Sequence, residues 1–375
     1  MSDRLLLDAI DLVATRLIAG PLAAPVFESA ATAEATKLLQ AAGWLETRGG
    51  AYVVSGKRGL VIGLDLGGTK LRGAIGNAAG QILVEYDLPT VTDAPDHVIA
   101  QMADMARSLA ARAGVPMDAV ERVTIGVPGV VAPDGRVVLS PNVSFDGNTP
   151  LAAALENMLG AQVSVDNDGN LSAYGELVAG CGSDRQARSL AFLAIGTGIG
   201  MGLIVDGHLL HGKSGGAGEI AFIPFGGDPF SDAAANPGGT FEAAVGTDGI
   251  RRAYARATGE DIDVREIFDR ADAGDASAAA VIDDTTRSIA LGVATVIALL
   301  DPGIVVVGGG IGARPGLAEK IGALTARLVP TACEVVPSAL GDRAGVIGAL
   351  AFACHEARLS LIERAGIDDK KGAAA

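Results

Sequence analysis

An apolar segment that ends in a glycine pair offers the chemical groups that bind phosphate. Val61–Lys70 reads VIGLDLGGTK. Glycines let backbone N–H groups approach an anion closely, a threonine hydroxyl donates a hydrogen bond, and a lysine supplies a positive charge. The residues that could take these roles are Gly67, Gly68, Thr69 and Lys70. Asp65, at the predicted strand end, could hold a hydrated Mg²⁺ that is bound to the phosphates. The alternative is an ordinary Gly-Gly hairpin with a charged rim.

A second segment of the same type lies further along the chain. Leu193–Asp206 reads LAIGTGIGMGLIVD, which again predicts a strand, a glycine turn and a strand. Its candidate phosphate contacts are Gly196, Thr197 and Gly198. One short glycine motif is weak support for a phosphate site, but two copies that each open an α/β run indicate an internal repeat. We therefore predict two related lobes whose glycine turns hold a polyphosphate in a shared cleft.

A triple glycine is a third candidate contact for a nucleotide. Gly308, Gly309 and Gly310 stand between a predicted strand, Ile304–Val307, and a predicted helix, Gly316–Leu328. Backbone without side chains lets a flat ring or a phosphate lie close to it. A tight strand-to-helix loop needs the same glycines, so this segment alone leaves both interpretations open.

A carboxylate after another predicted strand could act as a general base. The predicted strand Gln162–Val165 is followed by Asp166, Asn167 and Asp168, and a helix is expected from about Gly169. Because α/β proteins bind ligands at the carboxyl ends of their strands, Asp168 could accept the proton of a substrate hydroxyl. The alternative is that Asp168 caps the helix.

Composition limits the class of protein that these segments belong to. The length of 375 residues is enough for two or three domains, and 49% of the residues are hydrophobic, so the chain can bury a large core. The net charge of −15 opposes binding of nucleic acid or an anionic membrane by the chain as a whole. Three scattered cysteines suit a reducing cytoplasm, and no signal peptide is predicted. Ala276–Leu300 is predicted to be a long, mostly apolar helix, and its uncharged run Ile289–Leu300 is too short to span a bilayer. The stretch Pro224–Gly239, which is rich in Gly, Pro and Asp, is expected to be irregular.

Residues 1–58 form a predicted segment of their own. Two helices, Leu5–Ala19 and Thr32–Ala42, and two short strands, Trp44–Thr47 and Tyr52–Val54, follow the order of a winged helix. The segment has six basic and six acidic residues, and Lys37 is the one basic residue of its second helix. A DNA reader needs several basic side chains on one face. We therefore favour a cap that packs on the main body, with DNA binding as the alternative.

Together these motifs resemble the ROK family (repressors, open reading frames, sugar kinases). The likeness covers nearly all of Leu60–Arg358. It is carried by DLGGTK at 65–70, GVPG at 126–129, SPN at 140–142, DNDGN at 166–170, GTGIGMG at 196–202, GAGE at 216–219 and GGGI at 308–311. The resemblance implies an α/β, two-lobed actin-like ATPase (ribonuclease H-like) fold and a homodimer. The implied divisions are a winged-helix-like segment at 1–58, a lobe at 59–165 completed by a helix at 344–365, and a lobe at 166–343.

The resemblance also implies roles for single residues. Asp168 corresponds to the catalytic base of the family. The residues that fall where family members hold sugar hydroxyls are Asn142, Asn167, Glu219 and Glu242. The two glycine turns and Gly308–Gly310 fall where ATP is bound. The implied activity is phosphoryl transfer from ATP, with Mg²⁺, to a hydroxyl of a hexose or an N-acetylhexosamine.

Two departures from the family pattern concern the sugar site. Kinases of the family usually have Gly-His after Gly-Glu-Ile, where this chain has Ala221-Phe222, and the segment Asn236–Glu242 lacks the cysteines of the usual zinc loop. We therefore expect no zinc site, and the sugar specificity stays open. The alternatives to a kinase are a sugar-responsive transcriptional regulator with a vestigial or unused kinase site, and a non-catalytic ATP-gated scaffold, which no motif favours.

Overall fold

The chain divides into two units. A computed structural model describes residues 3–19, 22–23, 29–91, 94–138 and 150–365. Unit 1 contains the described residues up to Asp168 and from Val346 onward, and unit 2 contains Gly169–Gly345. The finer division that was expected at 58/59, 165/166 and 343/344 stays a prediction.

The described part of the chain contains fourteen α-helices and fifteen strands. Those of unit 1 are α1 Asp3–Ala19, β1 Leu22–Ala23, α2 Ala30–Ala41, β2 Leu45–Arg48, β3 Ala51–Val54, β4 Leu60–Leu66, β5 Lys70–Gly76, β6 Ile82–Pro89, α3 Pro95–Arg112, β7 Val120–Val127, β8 Val130–Val131, β9 Val137–Val138, α4 Leu151–Leu159 and β10 Gln162–Asn167. Those that follow are α5 Asp168–Ala179, α6 Cys181–Asp184, β11 Leu190–Ile195, β12 Ile199–Val205, β13 His208–Leu209, α7 Pro229–Ala235, α8 Thr240–Val245, α9 Thr247–Thr258, α10 Val264–Asp272, α11 Ala276–Leu300, β14 Ile304–Gly308, α12 Gly309–Gly312, α13 Leu317–Thr325, β15 Glu334–Pro337 and α14 Ala344–Arg364.

Each unit contains a five-stranded mixed sheet, and the two sheets have the same strand order. The order is β6-β5-β4-β7-β10 in unit 1 and β13-β12-β11-β14-β15 in unit 2. In both sheets the first three strands form an antiparallel meander, and the next two run parallel to the first strand. This shared order confirms the internal repeat that the two glycine segments predicted.

Strand β4 is buried on both faces, because its alternate side chains enter different cores. Leu60, Ile62, Leu64 and Leu66 pack with helices α3 and α4, whereas Val61 packs with α14. Gly63 lies on the same face as Val61, and a Cβ there would come within 2.3 Å of the backbone N of Leu350 in α14. The glycine therefore lets the helix lie directly on the strand that leads to the first glycine turn.

The N-terminal segment packs on the main body of unit 1. Strands β1, β3 and β2 form a small sheet in that order, so the helix, helix and wing predicted from the sequence are present. Side chains of α1 and α2 share one hydrophobic core with α14. Trp44 is buried, and its indole Nε1 donates to Glu121 Oε1 at 3.3 Å. Arg358 of α14 also contacts the carboxylate of Asp11. These contacts support the cap that the sequence favoured.

Helix α14, within the stretch Gly341–Arg364, is long and apolar enough to span a membrane. It is the one helix among the described residues with this length and hydropathy. Over half of its most apolar part, 56%, is buried. Since α14 contributes Leu350, Cys354 and Leu361 to the core shared with α1 and α2, its hydropathy is that of a core helix.

Several predicted elements differ in extent from the observed ones. The stretch Pro224–Gly239 was expected to be irregular but contains α7, whose start is marked by the N-cap Asp228 and a proline. The predicted helix Gly316–Leu328 is shorter, and the triple glycine opens the separate helix α12. The strand predicted to end at Val165 continues to Asn167, because β10 pairs with β7 along that length. Helix α11 has the bounds predicted from its apolar run.

Candidate active site

The first glycine turn, in unit 1, is closed by its own backbone and held by the end of the meander. Gly67 N donates to Lys70 O at 2.8 Å, and a Cβ on Gly67 would lie 3.2 Å from that oxygen. Thr90 N donates to Thr69 O at 3.0 Å, and Thr90 Oγ1 donates to Gly67 O at 2.7 Å. Thr90, which sequence analysis did not single out, therefore fixes the turn from outside.

Lys70 is engaged by an acidic partner that the sequence did not suggest. Its Nζ lies 3.1 Å from Asp87 Oδ2, and both side chains are about half exposed. The hydrogen bond from Lys70 and its charge hold the pKa of Asp87 below its ordinary value. A cavity of about 290 Å³ adjoins this pair, and its lining is Thr69, Lys70, Asp87, Leu88 and Pro89. A phosphate group in this cavity would compete with Asp87 for the lysine.

Three acidic or amide residues lie at strand ends of unit 1, as predicted. Asp65 is opposite Arg72 across the β4–β5 pair. Asn167 ends β10, and its Nδ2 donates to Gly129 O at 3.0 Å, which ties the end of β10 to the turn after β7. Asp168 was expected just before a helix but is the first residue of α5. No loop residue separates the strand from the helix, so Asp168 lies in the first helical turn, where the helix dipole favours a negative charge.

The second glycine turn, in unit 2, is held by α8 and α9. Gly196 O accepts hydrogen bonds from Thr247 N at 3.2 Å and Thr247 Oγ1 at 2.9 Å. Ile199 N donates to Glu242 Oε2 at 3.1 Å. The turn between β11 and β12 is therefore positioned by side chains that follow it by more than forty residues.

The triple glycine lies beside the second glycine turn. Strands β11 and β14 run parallel, with Ala194 opposite Gly308. Gly309 has a φ of 83°, and a Cβ there would come 2.5 Å from Ile195 O. A Cβ on Gly196 would lie 3.7 Å from Gly310 N. Unit 2 thus brings together two of the three segments that were predicted to contact a nucleotide.

Two of the predicted sugar-binding carboxylates interact within unit 2. Burial raises the pKa of Glu219, and the negative charge of Glu242 raises it further. Burial also raises the pKa of Glu242, against the lowering effect of the hydrogen bond from Ile199 N. Glu242 is enclosed by glycines, because a Cβ on Gly198 or Gly238 would lie 2.1 Å or 2.8 Å from its carboxylate oxygens. Its carboxylate therefore contacts the glycine turn and lies within electrostatic reach of Glu219.

Two further expectations concern Asn142 and the absence of a zinc site. Asn142 lies outside the described residues, as does the rest of 139–149. Among the described residues, no group of three or more His, Cys, Asp and Glu side chains could hold a metal ion. The segment where the family carries its zinc loop leads into Thr240, whose hydroxyl bonds to backbone groups of Ile223 and Phe225.

Comparison with known proteins identifies the family. The ROK family model matches residues 61–356. The chain belongs to the ROK family. A glucokinase from Thermotoga maritima is 31% identical over 314 residues, which are 77% of this chain and 95% of that protein. The actin-like ATPase fold predicted for a ROK protein is confirmed.

Two solved structures of ROK proteins extend the likeness to three dimensions. A ROK family glucokinase from Streptomyces griseus in complex with glucose and AMPPNP has a TM-score of 0.65 and 26% identity, and covers 79% of this chain and 99% of its own. A ROK family transcriptional regulator, a homolog of the E. coli MLC protein, has a TM-score of 0.76 and 20% identity, and covers 96% of this chain and 100% of its own. At that identity the regulator shows a shared fold alone.

Proposed function

We propose that this ROK protein is an ATP-dependent sugar kinase, which transfers the γ-phosphoryl group to a hydroxyl of a hexose or an N-acetylhexosamine. The observation that carries the proposal is the hydrogen bond from Ile199 N to Glu242 Oε2. It joins the predicted phosphate turn to the carboxylates predicted to bind the acceptor. The relative named glucokinase and the neighbour that binds glucose with the ATP analogue AMPPNP support the same activity.

Asp168 is the general base of the proposed reaction. Its carboxylate accepts the proton of the sugar hydroxyl as that oxygen attacks the γ-phosphorus in line. The groups proposed to hold the other sugar hydroxyls are Asn142, Asn167, Glu219 and Glu242. Asn167 can do this from a fixed position, because its amide is tied to Gly129 O.

The glycine segments fit a polyphosphate. Side chains are absent at Gly67 and Gly196, and the triple glycine lies beside the second turn, so the backbone there is open to an anion. Asp65 is the residue proposed to hold Mg²⁺ through water, and the ion would neutralise phosphate charge. Lys70 adds a positive charge once phosphate displaces Asp87.

An ADP-release assay across hexoses and N-acetylhexosamines tests the proposal. We expect sugar-dependent ADP release by the native chain, and a fall in kcat of about 10²–10⁴-fold in Asp168→Asn, because the variant has lost its general base. Binding of ATP, measured by calorimetry, stays as in the native chain. The matched control is Asp184→Asn, on the short helix α6. Equal turnover by the two variants would show that Asp168 is not the base.

We further propose that the protein is a cytoplasmic homodimer, as the family resemblance implies. Light scattering coupled to gel filtration should then give twice the 37.5 kDa of one chain. A mass of one chain at micromolar concentration would exclude the dimer.

A DNA-binding regulator is the second candidate function. The observation that supports it is the small sheet β1-β3-β2 beside α1 and α2, since this is the shape of a winged helix. Lys37 of α2 lies 3.5 Å from Glu34, however, so its charge is partly offset. Fluorescence anisotropy with DNA from upstream of the gene for this chain tests this function. The affinity of a regulator for DNA falls steeply between about 50 and 200 mM salt, and a regulator binds its specific sequence more tightly than unrelated DNA.

A further inference from the structure

One threonine hydroxyl joins the two chain segments that carry Glu219 and Glu242. Thr240, the first residue of α8, accepts a hydrogen bond from Phe225 N at 3.0 Å and donates one to Ile223 O at 3.1 Å. Glu219 precedes Ile223 by four residues, and Glu242 is the third residue of α8. Thr240 is buried, with 9% of its surface exposed. The hydroxyl thus connects the chain just after one carboxylate to the helix that carries the other.

The same two segments also touch through backbone and aromatic rings. Gly239 has a φ of 105°, and a Cβ there would come 2.1 Å from Ala221 O. The rings of Phe225 and Phe241 meet edge to face, with their centroids 5.4 Å apart. Phe241 is fully buried against Gly292 of α11. The start of α8 is therefore anchored in the core of unit 2, and the segment after Glu219 is attached to it.

Glu242 has little freedom to compensate for a shift of either segment. Its Oε2 is bonded to Ile199 N, and its carboxylate lies between Gly198 and Gly238, where even a Cβ would not fit. The position of Glu219 relative to Glu242 thus depends on how the chain after Glu219 is attached to α8. Thr240 provides the hydrogen bonds of that attachment.

We propose that Thr240 is a positioning residue of the acceptor site, which keeps Glu219 and Glu242 at a fixed separation for two hydroxyls of the sugar. The inference rests on the proposed kinase function for its ligand, and on the contacts of Thr240 for its geometry. A carboxylate pair accepts hydrogen bonds from two hydroxyl donors only if both carboxylates keep their places, so the separation sets which polyhydroxylated acceptors fit.

Three substitutions test the proposal in the full chain. Thr240→Val keeps the shape of the side chain and removes the hydroxyl, and we expect the KM for the sugar to rise about tenfold with a smaller change in the KM for ATP. Thr240→Ser keeps the hydroxyl and should stay within about twofold of the native KM. Thr286→Val is the matched control, because it removes another buried hydroxyl that bonds a backbone carbonyl, Ile282 O at 2.7 Å. It should lower Tm without changing the KM for the sugar.

A second readout does not depend on kinase activity. Carboxyl ¹³C NMR follows the titration of Glu219 and Glu242 in the sugar-free protein. In Thr240→Val both pKa values should fall towards that of ordinary glutamate, since the pair becomes more hydrated, whereas Thr240→Ser and Thr286→Val should titrate as the native chain does.

The two readouts separate failure of the inference from failure of the proposed function. If no sugar supports turnover by the native chain but Thr240→Val still shifts both titrations, the kinase proposal fails and the positioning role stands. If Thr240→Val matches Thr286→Val in both the sugar KM and the titrations, Thr240 only stabilises the fold and the inference is overturned.

Discussion

Replacing Gly198 by alanine tests whether the second glycine turn depends on Glu242. A Cβ on Gly198 would lie 2.1 Å from Glu242 Oε2, whereas ordinary contacts of a Cβ begin at 3.4 Å. The carboxylate must therefore retreat by more than about 1 Å to reach ordinary van der Waals distance. Ile199 N donates to Glu242 Oε2 at 3.1 Å, and a retreat of this size away from the turn would break that hydrogen bond.

The expected loss follows from that single hydrogen bond. A hydrogen bond to a charged group contributes about 1.5–3 kcal/mol, which corresponds to about a 10–150-fold fall in kcat/KM for ATP. The same bond stabilises the folded chain, and Gly238 restricts the retreat of Glu242, so the free energy of unfolding should also fall, by about 1.5–3 kcal/mol. Activity and Tm should thus both fall.

The assay is ADP release at varied ATP, with Gly200→Ala as the matched control. Gly200 lies in the same hairpin, and a Cβ there would meet nothing within 4 Å, so this variant should keep native kinetics. The double variant Gly198→Ala with Glu242→Asp shortens the acid by one methylene and should recover part of the loss of Gly198→Ala. Native kinetics in both glycine variants would refute the dependence of the turn on Glu242.

Two further predictions concern carboxylates of unit 2. The pKa of Glu219 is raised by burial and by Glu242, so the stability contributed by its protonated form is complete below the ordinary pKa and is lost as pH rises through the raised pKa. In scanning calorimetry the Tm of Glu219→Gln should therefore exceed that of the native chain near about pH 8 and equal it near about pH 4. A difference in Tm that grows towards acid pH would contradict this sign. Glu176 of α5 is fully buried and accepts hydrogen bonds from Cys181 N, Ser338 Oγ and Leu340 N. Glu176→Ala leaves these three donors without an acceptor and should lower the free energy of unfolding by about 3–5 kcal/mol in urea titrations. A loss below about 1 kcal/mol would show that the three hydrogen bonds add little to stability.

The sequence predicted the elements whose signals are local. Each glycine hairpin was recognisable because apolar strands flank a short glycine run, and α11 because its apolar residues continue at helical spacing from Ala276 to Leu300. Helix α7 was missed although Asp228 and Pro229 mark its start, since the glycines and prolines around it favoured an irregular stretch. Local composition was there a poorer guide than the capping signal.

The side-chain partners of the site could not be predicted, because they depend on long-range packing. Asp87 meets Lys70 only because β5 and β6 pair with Lys70 opposite Pro89. Glu242 reaches Ile199, forty-three residues earlier, through the placement of α8. The hydroxyl of Thr240 gains its role from the same placement. None of these pairs has a fixed spacing that a motif could show.

Because α1 and α2 share a core with α14, residues 1–58 are needed to cover an apolar face of the main body. Proteolytic loss of this segment would expose part of the α14 surface that carries Leu350, Cys354 and Leu361, and the remaining chain would become more prone to aggregation. Evolutionary constraint on the segment then falls first on its inward surface. The charged residues on its outward surface are under weaker constraint, so equal numbers of basic and acidic residues there do not depend on whether the segment once bound DNA.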